Sequence, residues 1–428
     1  MKIFSVLVLI IFMLTSSKVF AAETRAGLEE FSESVNIFNW NYFKNLDKNK
    51  NIFYSPYSIA AAFSIVANGA KGTTQKEILA ALDAKNIQML NDGFKNFREV
   101  MENEYTGGRI LNESNLILID KKFIGKGINP KFKDVVENIY GSEVDTANFE
   151  GNLGGEKRRI KNFVAEKTNN FISNYKSLVT ESTVLDLLNV IYFKGDWENP
   201  FKATDTWKSD FFNRDGSKSK VQMMSQSFQN EIRYYADEKY MGIEMPYKKL
   251  EDGGEVVAMY VILPRTEKNP GRSNNEKNSY NENDLSIAES WNAEEISYRE
   301  NFLRNLQNAP IFQDTVAVFI PKFELDIKND LNEDLKKMGI RRAFTNSAEF
   351  SNIIKNTQLK ISNATHQAKI KVDEKGTEAA AVTEIEMLAT AIPGVPKIIY
   401  FCADRPFLFV IRDVPSGINL FTGVINLL

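Results

Sequence analysis

One cysteine and one histidine in 428 residues remove much of the chemistry that a chain of this size could carry. Cys402 has no partner for an internal disulfide, so the fold rests on its apolar core alone. It lies in the apolar run YFCADRPFLFVI, which suits a buried, inert thiol; a disulfide-linked dimer is the other reading. His366 sits in SNATHQAKI, a strand-like context, and the chain has no G-x-S-x-G elbow for a Ser-His-Asp hydrolase. His366, Cys402 and the carboxylates show no zinc-ligand spacing, and there is no Walker loop or dinucleotide fingerprint. No enzyme constellation is present, and no metal or cofactor is expected.

Charge of one sign is lacking too. Against 53 Lys and Arg stand 56 Asp and Glu, a net charge of -3 with mixed signs throughout, which gives no general basic surface for nucleic acid. With 43% hydrophobic residues the chain can bury a large core, and no Pro/Gly/Ser-rich linker divides it, so residues 22–428 read as a single domain. The apolar run Ile3–Leu14 follows Lys2 and precedes Val19-Phe20-Ala21. It is too short to span a bilayer and reads as a signal peptide, residues 1–21, cleaved after Ala21. The mature chain, without Lys2 and Lys18, carries -5 and is expected to be secreted rather than membrane-bound. Asn112-Glu113-Ser114 and Asn363-Ala364-Thr365 are sequons and glycan candidates.

Helical spacing places Phe31, Val35, Phe38 and Tyr42 on one face of a first helix. Pro56 opens a second, with Ile59, Phe63 and Val66 on one side and Asn68-Gly69 at its end; Thr74 and Glu77 form a capping box for a third. Strands are predicted over Arg109–Asp120, Val221–Met224, Ile232–Tyr235, Val256–Leu263 and Thr315–Leu325. The apolar run from Thr183 to Phe201 suits a strand buried on both faces. A helix over Gly155–Tyr175 opens with Lys157, Arg158, Arg159 and Lys161; Glu156 and Glu166 dilute this cluster, and a solvated helix start accounts for it without a polyanion. Residues 266–290 hold six asparagines and few apolar groups, the signature of a disordered surface insertion. Leu331, Leu335 and Met338 make a last helical face, ending at Gly339.

The stretch from Asp373 to Phe401 combines two contradictory signals. Thr377, Ala379, Ala381, Thr383, Ile385 and Met387 alternate with Glu378, Glu384 and Glu386 as in a strand, yet Pro393, Gly394 and Pro396 belong in an exposed loop. A segment suited to both is a candidate two-state element. Gly376 bends freely, and Ala379, Ala380 and Ala381 are small enough to slide between strands already in place.

These residues, with Glu374, resemble the reactive-centre loop and hinge of the serpins, a family of protease inhibitors. So do NIFYSPYSIAAAFSIVANGAKGTTQKEILAAL (51–82), TVLDLLNVIYFKGDWENPF (183–201) and the C-terminal ADRPFLFVIRD followed by FTGV, in the same order. The family most often has histidine where this chain has Arg405. The resemblance implies an α+β fold of three β-sheets surrounded by about eight or nine α-helices, with an exposed reactive-centre loop over about 374–398. It places Ser55, Ser58, Asn189 and His366 in a polar cluster where the strands of the large sheet part, and Trp197 over the point where the loop first enters.

It further implies a secreted suicide inhibitor, not an enzyme, whose partner is a serine protease held in a covalent complex; a monomer without nucleic acid, membrane or polyanion partner is expected. The cut bond would lie sixteen residues after Glu374, at Thr390-Ala391, suiting an elastase-like protease. Lys397-Ile398 is the trypsin-like alternative, because the loop is longer than usual. A non-inhibitory carrier, chaperone or storage protein of the same fold is the competing function.

Overall fold

The computed structural model describes residues 28–104, 110–125, 127–249, 257–265, 281, 283–377 and 398–428. The proposed signal peptide, most of the Asn-rich stretch and residues 378–397 lie outside them. The strands, in chain order, are β1 Ile52–Tyr54, β2 Ile110–Asp120, β3 Glu143–Ala147, β4 Leu185–Asp196, β5 Thr206–Phe212, β6 Lys218–Gln229, β7 Arg233–Ala236 and β8 Tyr240–Pro246. They continue as β9 Val257–Pro264, β10 Thr315–Pro321, β11 Phe323–Asp330, β12 Ile361–Asp373, β13 Gly376–Thr377, β14 Ile398–Cys402, β15 Phe407–Asp413 and β16 Asn419–Ile425. Among the described residues they form three sheets. One runs β11-β12-β13-β4-β2-β3, a second β1-β16-β15-β9-β8-β7, and the third β14-β10-β6-β5.

Helices cover these sheets: α1 Glu29–Phe43, α2 Pro56–Gly69, α3 Gly72–Ala81, α4 Ile87–Glu104, α5 Pro130–Asp134, α6 Phe149–Lys167, α7 Ile287–Ala293, α8 Ile296–Gln307 and α9 Asn332–Lys337. The predicted apolar face of α1 is buried, Phe31, Val35, Phe38 and Tyr42 alike. In α2, Pro56 fits the first helical position because its missing N–H has no intrahelical acceptor there, and the Ser55 hydroxyl caps the free Ser58 N–H at 3.1 Å.

The large sheet is buried on both faces, which the continuous apolar run of β4 requires. Leu187, Ile191 and Phe193 join the main core with Ile59 and Phe63 of α2. Leu188 and Val190 point the other way, to Leu116 and Leu118 of β2 and to Ile160, Phe163 and Val164 of α6. Each such fully buried aliphatic or aromatic side chain contributes about 1.5–3 kcal/mol of transfer free energy.

Four local readings need correction. Thr74 and Glu77 do not form a capping box. Glu349 supplies the cap instead, accepting from the Thr73 and Thr74 N–H groups at 2.9 and 3.3 Å, while Glu77 accepts from Arg341 and Arg342 N–H. The helix expected over Gly155–Tyr175 runs from Phe149 to Lys167, capped by the Asn148 side chain, which accepts from Gly151 N–H at 3.1 Å. Thr315–Leu325 is two strands, β10 and β11, which meet at Lys322 and enter different sheets. The stretch read as disordered to Ser290 is already regular from Asn283, because Leu285, Ile287 and Ala288 bury themselves ahead of Trp291.

Arg405, the departure from the family pattern, is fully buried. It donates to the carbonyls of Cys402 and Pro264 at 3.1 and 3.0 Å and so ties β14 to β9. Cys402 is buried too, and burial pushes its thiol up to about 12. Labelling of the native protein with iodoacetamide near neutral pH is expected to be negligible and to become complete on denaturation, since the thiolate is the nucleophile. Rapid native labelling would refute the inert-thiol reading.

Candidate functional site

At one end of the large sheet β4 and β12 are held apart by two residues. Gly376 and Thr377 pair antiparallel with Asp373 and Val372 of β12 on one side and with Asp196 and Gly195 of β4 on the other. A side chain at Gly376 would collide with the Gly195 carbonyl and the Asp196 backbone, neither of which can give way. Thr377 is 1% exposed, and its hydroxyl shares a hydrogen bond of 2.7 Å with the Tyr247 hydroxyl.

Trp197 covers this point. Its ring stacks on Tyr247 at 4.6 Å, its indole N–H donates to Asp373 O at 3.0 Å, and its backbone N–H donates to Lys375 O at 2.7 Å. Glu374, just before, makes an ion pair of 2.7 Å with Lys322 and accepts from the Thr206 hydroxyl at 2.9 Å. Burial alone would raise the Glu374 carboxyl; the Lys322 ammonium and the Thr206 hydroxyl outweigh it and hold the group below its ordinary range.

Further down, β4 and β12 pair directly and in parallel, from Ile361 opposite Leu185 to Ala368 opposite Ile191. His366 stands opposite Asn189 in this seam. The Ser55 N–H donates to His366 Nε2 at 3.0 Å, which fixes the proton on Nδ1, and Nδ1–H donates to Asn189 Oδ1 at 2.5 Å. Burial pushes His366 down to about 3, so the ring is neutral at physiological pH. The Asn189 amide donates to Ser58 Oγ at 2.6 Å, Ser58 O at 3.0 Å and Asn115 Oδ1 at 2.8 Å. Ser55, Ser58, Asn189 and His366 are thus brought into one buried network linking α2, β4 and β12.

Sequence reasoning missed Glu113, Asn115, Tyr247, Lys322 and Thr206. Asn115 donates to Ser142 Oγ at 3.0 Å and to Glu113 Oε1 at 2.5 Å. Glu113 and Asn115 share one face of β2 with Leu111, Ile117 and Ile119, the face packed on the core that includes α2, and that period-two set was the available signal.

Asn112 is exposed on β2, whereas Asn363 donates to the buried Asp186 at 3.2 Å across β12 and β4, so its amide is engaged within the sheet. Arg159 of the α6 basic cluster is paired with Asp145 at 2.6 Å. Ile398 is 41% exposed and opens β14, opposite Thr315. Glu378, Ala379, Ala380, Ala381, Thr390, Ala391 and Lys397 lie outside the described residues. Among the described residues no group of three or more His, Cys, Asp or Glu is placed to hold a metal, and no helix is long and apolar enough to cross a membrane.

The serpin (serine protease inhibitor) family model matches residues 33–427. The alpha-1-antiproteinase of Callosciurus caniceps is 30% identical over 381 residues, 88% of this chain and 83% of that one. The native-state crystal structure of tengpin, a thermophilic serpin, superposes with a TM-score of 0.78 at 25% identity, over 94% of this chain and 95% of that one. Human thyroxine-binding globulin in complex with thyroxine gives 0.76 at 26% identity, over 93% and 98%. With its three sheets, its enclosing helices and a family match over nearly its whole length, the chain belongs to the serpin family.

Proposed function

We propose that this serpin is a secreted suicide inhibitor of serine proteases. The reading rests most on β13: Gly376 and Thr377 already lie between β4 and β12, so the path for the segment that follows them is begun. A protease would attack the loop and form an acyl-enzyme, with the new N-terminus released. The cleaved loop would then enter the sheet as a central strand. The fourteen residues Thr377–Thr390 span roughly 45 Å at about 3.3 Å each, enough to carry the attached protease across the inhibitor and distort its active site before the ester is hydrolysed. Such a native state would be held by kinetics rather than by equilibrium.

The small inward residues Thr377, Ala379 and Ala381 support inhibition over a carrier role. Thr390-Ala391 is favoured as the cut bond because Ile398 is already in register with Thr315, so Lys397-Ile398 abuts a paired strand where a protease needs freely extended chain. A small residue before the cut bond points to an elastase-like pocket.

Incubation of the secreted protein with elastase-like, chymotrypsin-like and trypsin-like proteases is expected to give a denaturant-stable complex and a C-terminal peptide beginning at Ala391. Cleavage in the loop without complex across the whole panel would favour a non-inhibitory serpin; a peptide beginning at Ile398 would move the register.

A further inference from the structure

Among the described residues two large apolar side chains are exposed, Trp207 at 43% and Ile398 at 41%, and both stand on the third sheet, β14-β10-β6-β5. Its register puts them on one face. Ile398 is opposite Thr315 and Thr315 opposite Gln229; at the other end Pro321 is opposite Met223 and Met223 opposite Trp207. The alternate residues between these two rows point the same way. None of them is charged, from Trp207 to Phe211 in β5, Ser219 to Gln229 in β6, Thr315 to Pro321 in β10 and Ile398 to Cys402 in β14, although 25% of the chain is. Lys208, Asp210, Lys218 and Lys220 fall on the opposite face. The Trp207 ring meets Phe319 edge-on at 5.8 Å, and Tyr400, Ser227 and Gln229 complete the open part of the uncharged face.

The two ends of the proposed reactive loop flank this face. Glu374, just before its start, is held by Thr206 and Lys322, the chain neighbours of Trp207 and Pro321, and the loop returns at Ile398. A protease closed on Thr390-Ala391 is tethered to Ile398 by seven residues, roughly 23 Å of chain at about 3.3 Å each. A protease domain of about 250 residues has a radius of gyration of roughly 18 Å, so on that tether its surface reaches the face. The face spans three strand spacings by six residues, roughly 14 by 20 Å, or about 300 Å². That is well short of the roughly 800 Å² per partner buried in a free-standing complex, so the face does not suit a second copy or another untethered partner. It suffices as the second contact of a partner already held by the loop, because such a contact forms without a further loss of translational freedom.

We infer that this uncharged face is a second docking surface for the target protease, taking a neutral, apolar patch beside the protease's substrate cleft. Trp207 supplies the anchor. Its ring is already braced against Phe319, so little side-chain freedom is lost when it is covered, and no charged group on the face has to be stripped of water. The loop then selects for the protease's primary pocket, and the face selects for what surrounds that pocket.

The inference rests on the loop as a protease substrate, and its test separates the two. Whichever protease of the elastase-like, chymotrypsin-like and trypsin-like panel cuts the loop fastest is prepared with its catalytic serine replaced by alanine, and its binding to the intact serpin is measured by surface plasmon resonance. Trp207→Ser is expected to weaken the dissociation constant about tenfold, mostly through faster release. Ser227→Glu, at an exposed position where no packing is removed, is expected to weaken it by about the same factor. Gln222→Glu puts the same charge on the other face of the same strand and is expected to change it less than about twofold. With the active protease, the ratio of complex to cleaved inhibitor stays at the wild-type value in all three variants, because insertion takes place in the large sheet. Wild-type affinity in both Trp207→Ser and Ser227→Glu overturns the inference and leaves the loop reading standing. Tighter binding in either variant also overturns it, by assigning the face to the loop itself, as does a wild-type dimer in size exclusion that Ser227→Glu dissolves, by assigning it to a second copy. If no protease of the panel cuts the loop, the loop reading falls and the docking surface with it.

Discussion

Thr377→Arg is expected to abolish the denaturant-stable protease complex while leaving cleavage of the loop intact. Thr377 is 1% exposed, paired on both sides, and hydrogen-bonded to Tyr247 beneath Trp197. An arginine cannot occupy that position without burying an unpaired charge, which costs several kcal/mol even after relaxation. It stays outside, β13 is lost, and insertion slows relative to hydrolysis of the acyl-enzyme. A barrier increase of about 3 kcal/mol lowers the ratio of complex to cleaved inhibitor about 100-fold, read by densitometry of a denaturing gel after reaction with an elastase-like protease. Thr377→Ser keeps the hydroxyl and is expected to retain complex formation. An undiminished complex yield from the arginine variant would contradict the insertion mechanism.

Asn189→Ala should have the second largest effect, in the opposite direction. The amide satisfies Ser58 Oγ, Ser58 O and Asn115 Oδ1 and accepts from His366 Nδ1–H, so truncation orphans groups on α2, β2 and β12 together. A buried polar group left without a partner costs about 1–3 kcal/mol, and this network loses more than one. The parallel seam is then the weakest part of the sheet. Spontaneous self-association at fixed temperature should accelerate at least tenfold, about 1.4 kcal/mol of barrier. If the variant remained monomeric as long as wild type by size exclusion, the network would not be what keeps the strands together.

The fold was legible because its signals are local and repeated: the α1 stripe, Pro56 after Ser55, and the unbroken apolar run of β4 each correspond to the element expected. Asn189, Ser55, Ser58 and His366 were found through resemblance, and their convergence depends on a β4–β12 register that no local pattern contains. Thr74 and Glu77 show the reverse error. Their spacing fits a capping box, but both side chains are engaged by a segment more than 260 residues away, through Glu349 and the Arg341 and Arg342 amides. Glu113 was missed because a carboxyl in the polar run Asn112-Glu113-Ser114-Asn115 reads as solvated, whereas here the face of β2 away from α6 is covered by the core that includes α2. Sequence alone carries the period of a strand but not what packs on each side of it.

Ordering a new strand is slow chiefly at its first step, when several backbone torsions are fixed before the ladder returns any hydrogen bonds. In β13 that step is already complete, because two residues pair in register with both neighbours. In the proposed mechanism, insertion after cleavage would therefore be propagation from a nucleus rather than nucleation. The outcome of the race against hydrolysis would then depend on how fast β4 and β12 unzip ahead of the growing end, so substitutions along that seam should tune the inhibitor as well as substitutions at its mouth.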